Sequence, residues 1–359
     1  MTSRKLLPAT IGAILVGGMA AAQADVTVFG HLDQSIVDQD NDFNGVDDTN
    51  FVCTTCSVGF KGSEDLGNGL KAIFKLDFQF DMNNRNNGRA SANGISNATV
   101  LTATAGGALG SVLGATVVTD VSSQGAITDR DQWLGLAGNF GQVRIGTIST
   151  LYKSHGAMID PLYRTSVQGR DVGLQSRFHS GAGEEGQGRA TNTARYDSPS
   201  WNGLKAGAHY TLDSDEGDGE DDNPYGLGVS YENGGILVFA DYITNNQGGD
   251  AETEAYKIGG KYSLNNFAVM GQYEAAETGN NVEPTLWHLG ASYTMGNNTL
   301  YGAYGQGDPD TSSADDSTAW TIAGIHQMSK RTAVYVGYNS EDRDGPEADR
   351  FTAGVKHKF

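Results

Sequence analysis

The sequence runs to 359 residues with 24 Lys and Arg against 43 Asp and Glu, a formal charge of −19, and it carries 50 Gly, 15 Tyr and 13 Phe beside 7 Pro and 2 Cys. So acidic a chain repels nucleic acid and would hold divalent cations only loosely. The glycine and aromatic content suits strands and tight turns rather than helices, and no stretch beyond the N-terminal segment approaches the ~18 consecutive apolar residues of a membrane helix.

Residues 1–24 pair Arg4 and Lys5 with an apolar run near Ile11–Ala22 and an Ala22-Gln23-Ala24 motif. That is the pattern of a secretory signal peptide, so the mature domain is expected over residues 25–359, exported and with a formal charge of −21 once the two basic residues leave. From Asp25 onward one theme repeats: seven to twelve residues of alternating polarity, then a break. In KAIFKLDFQF, Ala72, Phe74, Leu76, Phe78 and Phe80 share one face while Lys71, Lys75, Asp77 and Gln79 take the other. In YKIGGKYSL, Tyr256, Ile258, Gly260, Tyr262 and Leu264 oppose Lys257, Gly259, Lys261 and Ser263. A period of two marks strands with two different environments.

The first break contains Asp38, Asp40 and Asp42, which resemble the start of a calcium loop, but Phe43 stands where that loop needs glycine and Thr49 where it needs glutamate. It reads as a solvated acidic loop, as does DSDEGDGEDDN at 213–223. Cys53-Thr-Thr-Cys56 in an exported chain with no second pair reads as a small structural disulfide in a loop. Further on, short breaks at 67–69, 139–141, 199–203, 233–235, 265–266, 296–298 and 328–331 alternate with long ones at about 38–51, 82–129, 150–190, 213–224, 245–252, 276–284, 306–316 and 340–348. Seven turns and eight loops join sixteen strands, and the even number sets both strand termini at the short-turn end.

The polar faces carry Lys and Arg in strand after strand, whereas the apolar faces are nearly free of charge outside the loops. A lipid-facing exterior explains the second fact, because Lys or Arg at mid-bilayer costs ~2–4 kcal/mol, and a watery lumen explains the first. Closure leaves no open edge for the bilayer to starve of hydrogen bonds. The fold expected is therefore an all-β, sixteen-stranded antiparallel transmembrane barrel in the outer membrane. In the final FTAGVKHKF, Phe351, Ala353, Val355 and Phe359 face lipid and Lys356 and Lys358 face water, with Phe359 in an interfacial aromatic girdle.

SVGFKGSEDLGNGLKAIFKLD, DRDQWLGLAGNFGQVRIGT, ARYDSPSWNGLKAGAHY and the terminal FTAGVKHKF resemble the Gram-negative general porins, most nearly the Neisseria-type branch, across nearly the whole mature chain. The resemblance implies a homotrimer passing ions and small hydrophilic solutes by diffusion, set among lipopolysaccharide and outer-membrane lipids, with Phe359 read by the barrel-assembly machinery. It implies that the third long loop, about 150–190, folds inward against a basic wall whose positions match Lys61, Lys75 and Arg144. Arg195 shares the inward parity of Thr193 and Asp197. The sequence departs from enterobacterial porins in that loop: HGAMIDPLYRTSVQGRDVG offers Asp160 and Asp171 as constriction acids but intersperses Arg164, Arg170 and Arg177. The second long loop, 82–129, is long enough to latch a neighbouring subunit.

No HExxH or GxSxG appears among the seven histidines and the serines, and neither an enzyme, a metal nor a cofactor is expected. His31, His209 and His288 have inward parity. A substrate-selective channel and a structural or adhesive barrel are the rival readings. Inward Lys61, Lys71, Lys75, Arg144, Arg195, Lys205, Lys257 and Lys261 oppose Asp77, Asp160, Asp171 and Asp197, and a weak preference for anions follows.

Overall fold

The computed structural model describes residues 25–43, 45–83, 128–182, 188–212, 223–245, 253–278, 282–311, 316–343 and 346–359. The segment expected as a signal peptide, nearly all of the second long loop and most of the acidic run 213–223 lie outside these residues. The described chain is almost wholly β. Its strands are β1 Asp25–Asn41, β2 Val46–Cys53, β3 Ser57–Gly67, β4 Leu70–Gln79, β5 Thr128–Gly138, β6 Gly141–Ser149, β7 Arg189–Asp197 and β8 Leu204–Thr211. They continue as β9 Tyr225–Asn233, β10 Ile236–Asn245, β11 Thr253–Leu264, β12 Phe267–Thr278, β13 Thr285–Met295 and β14 Asn298–Asp308. The last three are β15 Ser317–Gln327, β16 Thr332–Asp342 and β17 Glu347–Lys358. Each pairs antiparallel with its neighbours, and β17 returns to β1 from His31↔Lys358 to Asn41↔Ala348, so the sheet closes.

The strands β2 and β3 form one stave, giving sixteen. Both pair with β1, β2 along its far half (Gln34↔Cys53 to Asn41↔Val46) and β3 along its near half (Asp25↔Ser63 to His31↔Ser57). The register slips by one residue between them. The Cys53–Cys56 disulfide closes that slip, with Thr55 at φ 54° and the Asp33 amide donating to Cys56 Sγ. The cysteines thus lie within a stave rather than in a loop, and the bulge reverses which parity faces inward: Val52 and Asn50 before it, Ser57, Gly59 and Lys61 after it. A second correction concerns the first loop. Its expected span, 38–51, is mostly strand, with β1 running to Asn41 and β2 starting at Val46, because cross-strand bonds such as Gln39 Nε2 to Asp48 Oδ1 (2.9 Å) and Thr49 to Asp38 extend the hairpin.

Alternation sorts the side chains as the period of two requires. Outward residues stay uncovered: Leu134 and Ile145 are 64 % exposed, Ile258 63 % and Leu289 62 %. Water would penalise so large an apolar surface, whereas lipid does not. Aromatics border the band. At the long-loop end Tyr225, Tyr242 and Tyr256 stand on successive strands with ring centroids 5.6 and 5.1 Å apart, and Trp287–Tyr304 and Trp320–Tyr338 continue the row. At the short-turn end Phe267 meets Tyr293 at 4.4 Å. Phe359 exchanges backbone hydrogen bonds with Gly30, and its ring occupies the space a Cβ at Gly30 would fill.

The interior is not a soluble-type core but a loop docked on a wall. The segment between β6 and β7 enters the lumen as α1, Leu151–Met158, which Thr150 caps by accepting from the Lys153 amide. Ile159, Leu162, Val167, Val172 and Leu174 then pack on Leu237, Phe239, Met270, Tyr301, Ala319 and Ala323 of β10, β12, β14 and β15. Tyr152 and Phe178 form a second cluster with Ile243, Ala255 and Ala276. Polar bonds fix the register of this docking. Glu274 accepts from Tyr152 Oη (2.7 Å), the Ser176 amide (3.1 Å) and the Ser176 hydroxyl. Asp241 lies 2.7 Å from His155 Nδ1 and 3.3 Å from Lys257 Nζ.

Two tests follow. Gly30→Ala should lower barrel stability by about 1–3 kcal/mol through overpacking, seen as a lower thermal midpoint in detergent; in a Phe359→Ala background the same change should cost nothing. Glu274→Ala strands the Tyr152 hydroxyl and the Ser176 donors, at about 1–3 kcal/mol each. It should raise hydrogen–deuterium exchange across 151–179, and unchanged protection would refute the docking role.

Candidate functional site

The lumen beside the inserted loop is where charge concentrates. Lys61 and Lys75 are register partners across β3 and β4, and both ammonium groups stand over the Phe29 ring, at 5.6 and 5.5 Å. Lys75 Nζ also reaches Asp131 Oδ2 at 2.8 Å, and Arg189 Nε approaches Asp131 Oδ1 at 3.3 Å. Arg144 and Arg195 are partners across β6 and β7 and share one carboxylate, Asp197, which Arg195 Nη2 meets at 2.6 Å. The Arg144 guanidinium lies 5.1 Å from the Trp133 ring centroid. Two cations on one acid leave a net positive wall.

The two loop acids part company. Asp171 faces the lumen, with Gln168 Nε2 donating to Oδ2 at 2.6 Å and Arg170 Nε 3.8 Å from Oδ1. The Asp160 oxygens accept from the Leu162 (2.8 Å) and Gly169 (2.9 Å) amides and so hold the loop's own turns. Burial pushes its carboxyl up to about 6 despite those bonds. Lys257 departs from expectation. It is buried under α1, bonded to the Tyr152 carbonyl and 3.2 Å from His179 Nε2. Burial and the neighbouring ammonium push the His179 imidazole well below its usual range, so it stays neutral. Among the other expected inward bases, Lys261 donates to the Met158 carbonyl at 3.2 Å, and Lys205 lines the cavity on the short-turn side of α1. His31, His209 and His288 are buried on the inward face.

Two cavities flank α1. The one toward the short turns, about 260 Å³, is bordered by Arg195, Asp197, Lys205 and Glu232. The one toward the long loops, about 540 Å³, is bordered among the described residues by Arg130, Lys153, Arg170, Arg189 and Arg350, with Asp171 the one described acid in that lining. Sequence parity passed over most of this set. Arg130 shares parity with lipid-facing Leu134 and Leu136, but the register slips between Leu76 and Phe78 and turns it inward. There it lies 3.4 Å from Asp77 and donates to Gln79 Oε1 at 2.6 Å. The available signal was energetic: an arginine on a lipid face is unfavourable, by ~2–4 kcal/mol at mid-bilayer and less toward the interface, which argues for a bulge there. Lys153 and Arg189 belong to the loop and its exit, where no period operates. Arg350 donates to the Ser166 carbonyl at 2.9 Å, a contact that exists only because the loop crosses the lumen to β17.

Comparison with known proteins agrees with this architecture. The major outer membrane protein P.IB of Neisseria meningitidis is 26 % identical over 242 residues, 66 % of this chain and 57 % of that protein. The P.IB protein of Neisseria gonorrhoeae is 25 % identical over 249 residues, 67 % of this chain and 56 % of that one. The chain thus spans little more than half the length of these relatives. Among solved structures, an anion-selective porin from Comamonas acidovorans superposes with a TM-score of 0.71 at 20 % identity, covering 94 % of this chain and all of that one. OmpT of Vibrio cholerae in its trimer form gives 0.66 at 14 % identity over 94 % of this chain and 99 % of its own. The profile of the Gram-negative porin family matches residues 9–346, and the chain belongs to that family.

Proposed function

We propose that this porin forms a water-filled channel through the outer membrane for passive diffusion of ions and small hydrophilic solutes, with a modest preference for anions. The observation that carries the preference is the lining of the larger cavity, where the described residues set five cations against Asp171. Net charge argues the other way, since the sequence totals −19. Charges beyond the Debye length, ~8 Å at physiological ionic strength, are largely screened from a permeating ion, while those at the narrowest section act at close quarters. The wall pairs temper the effect, because Asp77, Asp131 and Asp197 neutralise part of it. The Comamonas neighbour described as anion-selective supports the same reading. The trimer form of the Vibrio protein supports a homotrimer. Phe359, seated against Gly30 at the closing seam, serves in this reading as the assembly signal for the barrel-assembly machinery, and lipopolysaccharide surrounds the long-loop end.

Reconstituted in a planar bilayer under a salt gradient, the wild type should show a reversal potential biased modestly toward anions. Arg144→Glu and Arg350→Glu should each move it toward cations. A cation-selective wild type that neither substitution alters would defeat the assignment of these residues to the permeation path. Deletion of Phe359 should sharply reduce heat-modifiable oligomer in outer-membrane fractions, and normal levels in the deletion strain would count against its role in assembly.

A further inference from the structure

We propose that the Cys53–Cys56 disulfide is a thiol-exchange site, opened by a small thiol that enters the channel, and that its opening shifts the conductance; the second clause rests on the channel reading above. Cys53 is partly exposed and, with Val52, Thr54 and Thr55, borders the larger cavity, whereas Cys56 is fully buried. Access therefore selects Cys53 Sγ as the sulfur attacked. The surroundings of Cys56 suit both redox forms. The Asp33 amide lies 3.4 Å from Cys56 Sγ and the Asp33 carbonyl oxygen 3.5 Å from it. A thiolate leaving there accepts from the amide, and the thiol that follows donates to the carbonyl. Arginines bordering the same cavity favour the thiolate form on which exchange depends.

A small thiolate attacks Cys53 Sγ, the S–S bond breaks, and Cys56 leaves with the electron pair and takes a proton from water. A second small thiolate attacks the outer sulfur of the adduct, and Cys53 leaves in turn and is protonated. Two small thiols are thereby oxidised to one small disulfide, and the protein disulfide is reduced to two thiols. The bridge spans the place where β2 and β3 are offset by one residue against β1. It encloses Thr55 at φ 54°, a left-handed conformation that is unfavourable for a β-branched side chain. Without the bridge that turn relaxes, and Val52, Thr54 and Thr55 move relative to Val37 and Gln39 on the same cavity wall. A wall that shifts beside the permeation path alters the current.

The experiment treats the folded protein in detergent with mercaptoethanol, quenches with acid, caps free thiols after unfolding and reads the intact mass. The same thiol, uncharged and so not itself a current carrier, is added to single channels in a bilayer. Wild type should be capped at both cysteines, and its unitary conductance should move to a new level that the thiol oxidant diamide reverses. The double variant Cys53→Ser/Cys56→Ser should conduct at the shifted level and ignore the thiol. With glutathione disulfide as the probe, Cys56→Ser should form a mixed disulfide at Cys53, and Cys53→Ser should form one at Cys56 far more slowly. Uncapped cysteines in folded wild type, under thiol that opens the bridge of the unfolded chain, overturn the exchange site. Capping with an unchanged conductance overturns the shift, and neither wild-type reading depends on a variant assembling. Channels that conduct neither before nor after the thiol would instead overturn the channel reading, while capping still decides the exchange.

Discussion

Backbone hydrogen bonding in lipid is the constraint from which the rest of this structure follows. A peptide group facing hydrocarbon has no water to satisfy it, so a strand can cross only if both edges are paired. The β1–β17 ladder supplies the last pairing, and its eleven registered residue pairs from His31↔Lys358 to Asn41↔Ala348 convert an open sheet into a closed wall. Once the wall is closed, every side chain has two choices. It faces lipid, where Leu134, Ile145, Ile258 and Leu289 sit uncovered, or it faces the lumen, where Lys61, Lys75, Arg144 and Arg195 meet water and one another.

Strict alternation would give every lumen residue the parity of its strand, and at several points the wall breaks it. The Cys53–Cys56 bulge exchanges the inward parity between β2 and β3, the slip at Leu76/Phe78 turns Arg130 toward the lumen beside Asp131, and a third lies between Gly146 and Ile148. Bulges re-aim side chains at a cost of one unpaired residue. Here they cluster on the staves facing the larger cavity, so local irregularity of the wall and density of charge coincide.

The inserted loop solves a second problem. A lumen lined only by charges would have nothing to hold a constriction in place. The loop buries Ile159, Leu162, Val167, Val172 and Leu174 on an apolar strip of β10, β12, β14 and β15, and then fixes the orientation through Glu274 and Asp241. Apolar burial supplies the affinity, and buried acceptors that tolerate only one partner set supply the register. Its other edge is thereby left to present Lys153, Arg170 and Asp171 to the solvent path.

What the sequence determined by itself was everything that depends on period two and on the cost of charge in lipid. The strand number and the facing of Lys75, Phe351 and Phe359 were legible from local pattern, because each depends only on a residue's immediate neighbours along the chain. Tertiary structure decided what requires distant segments to meet. That Lys257 is buried beneath α1, that Asp160 ties the loop to itself, and that Arg130, Lys153, Arg189 and Arg350 border one cavity cannot be read from spacing. Bulges shift parity without a consistent sequence mark, and an irregular loop has no period at all, so the electrostatics of the pore become visible only when the loop is seen crossing it.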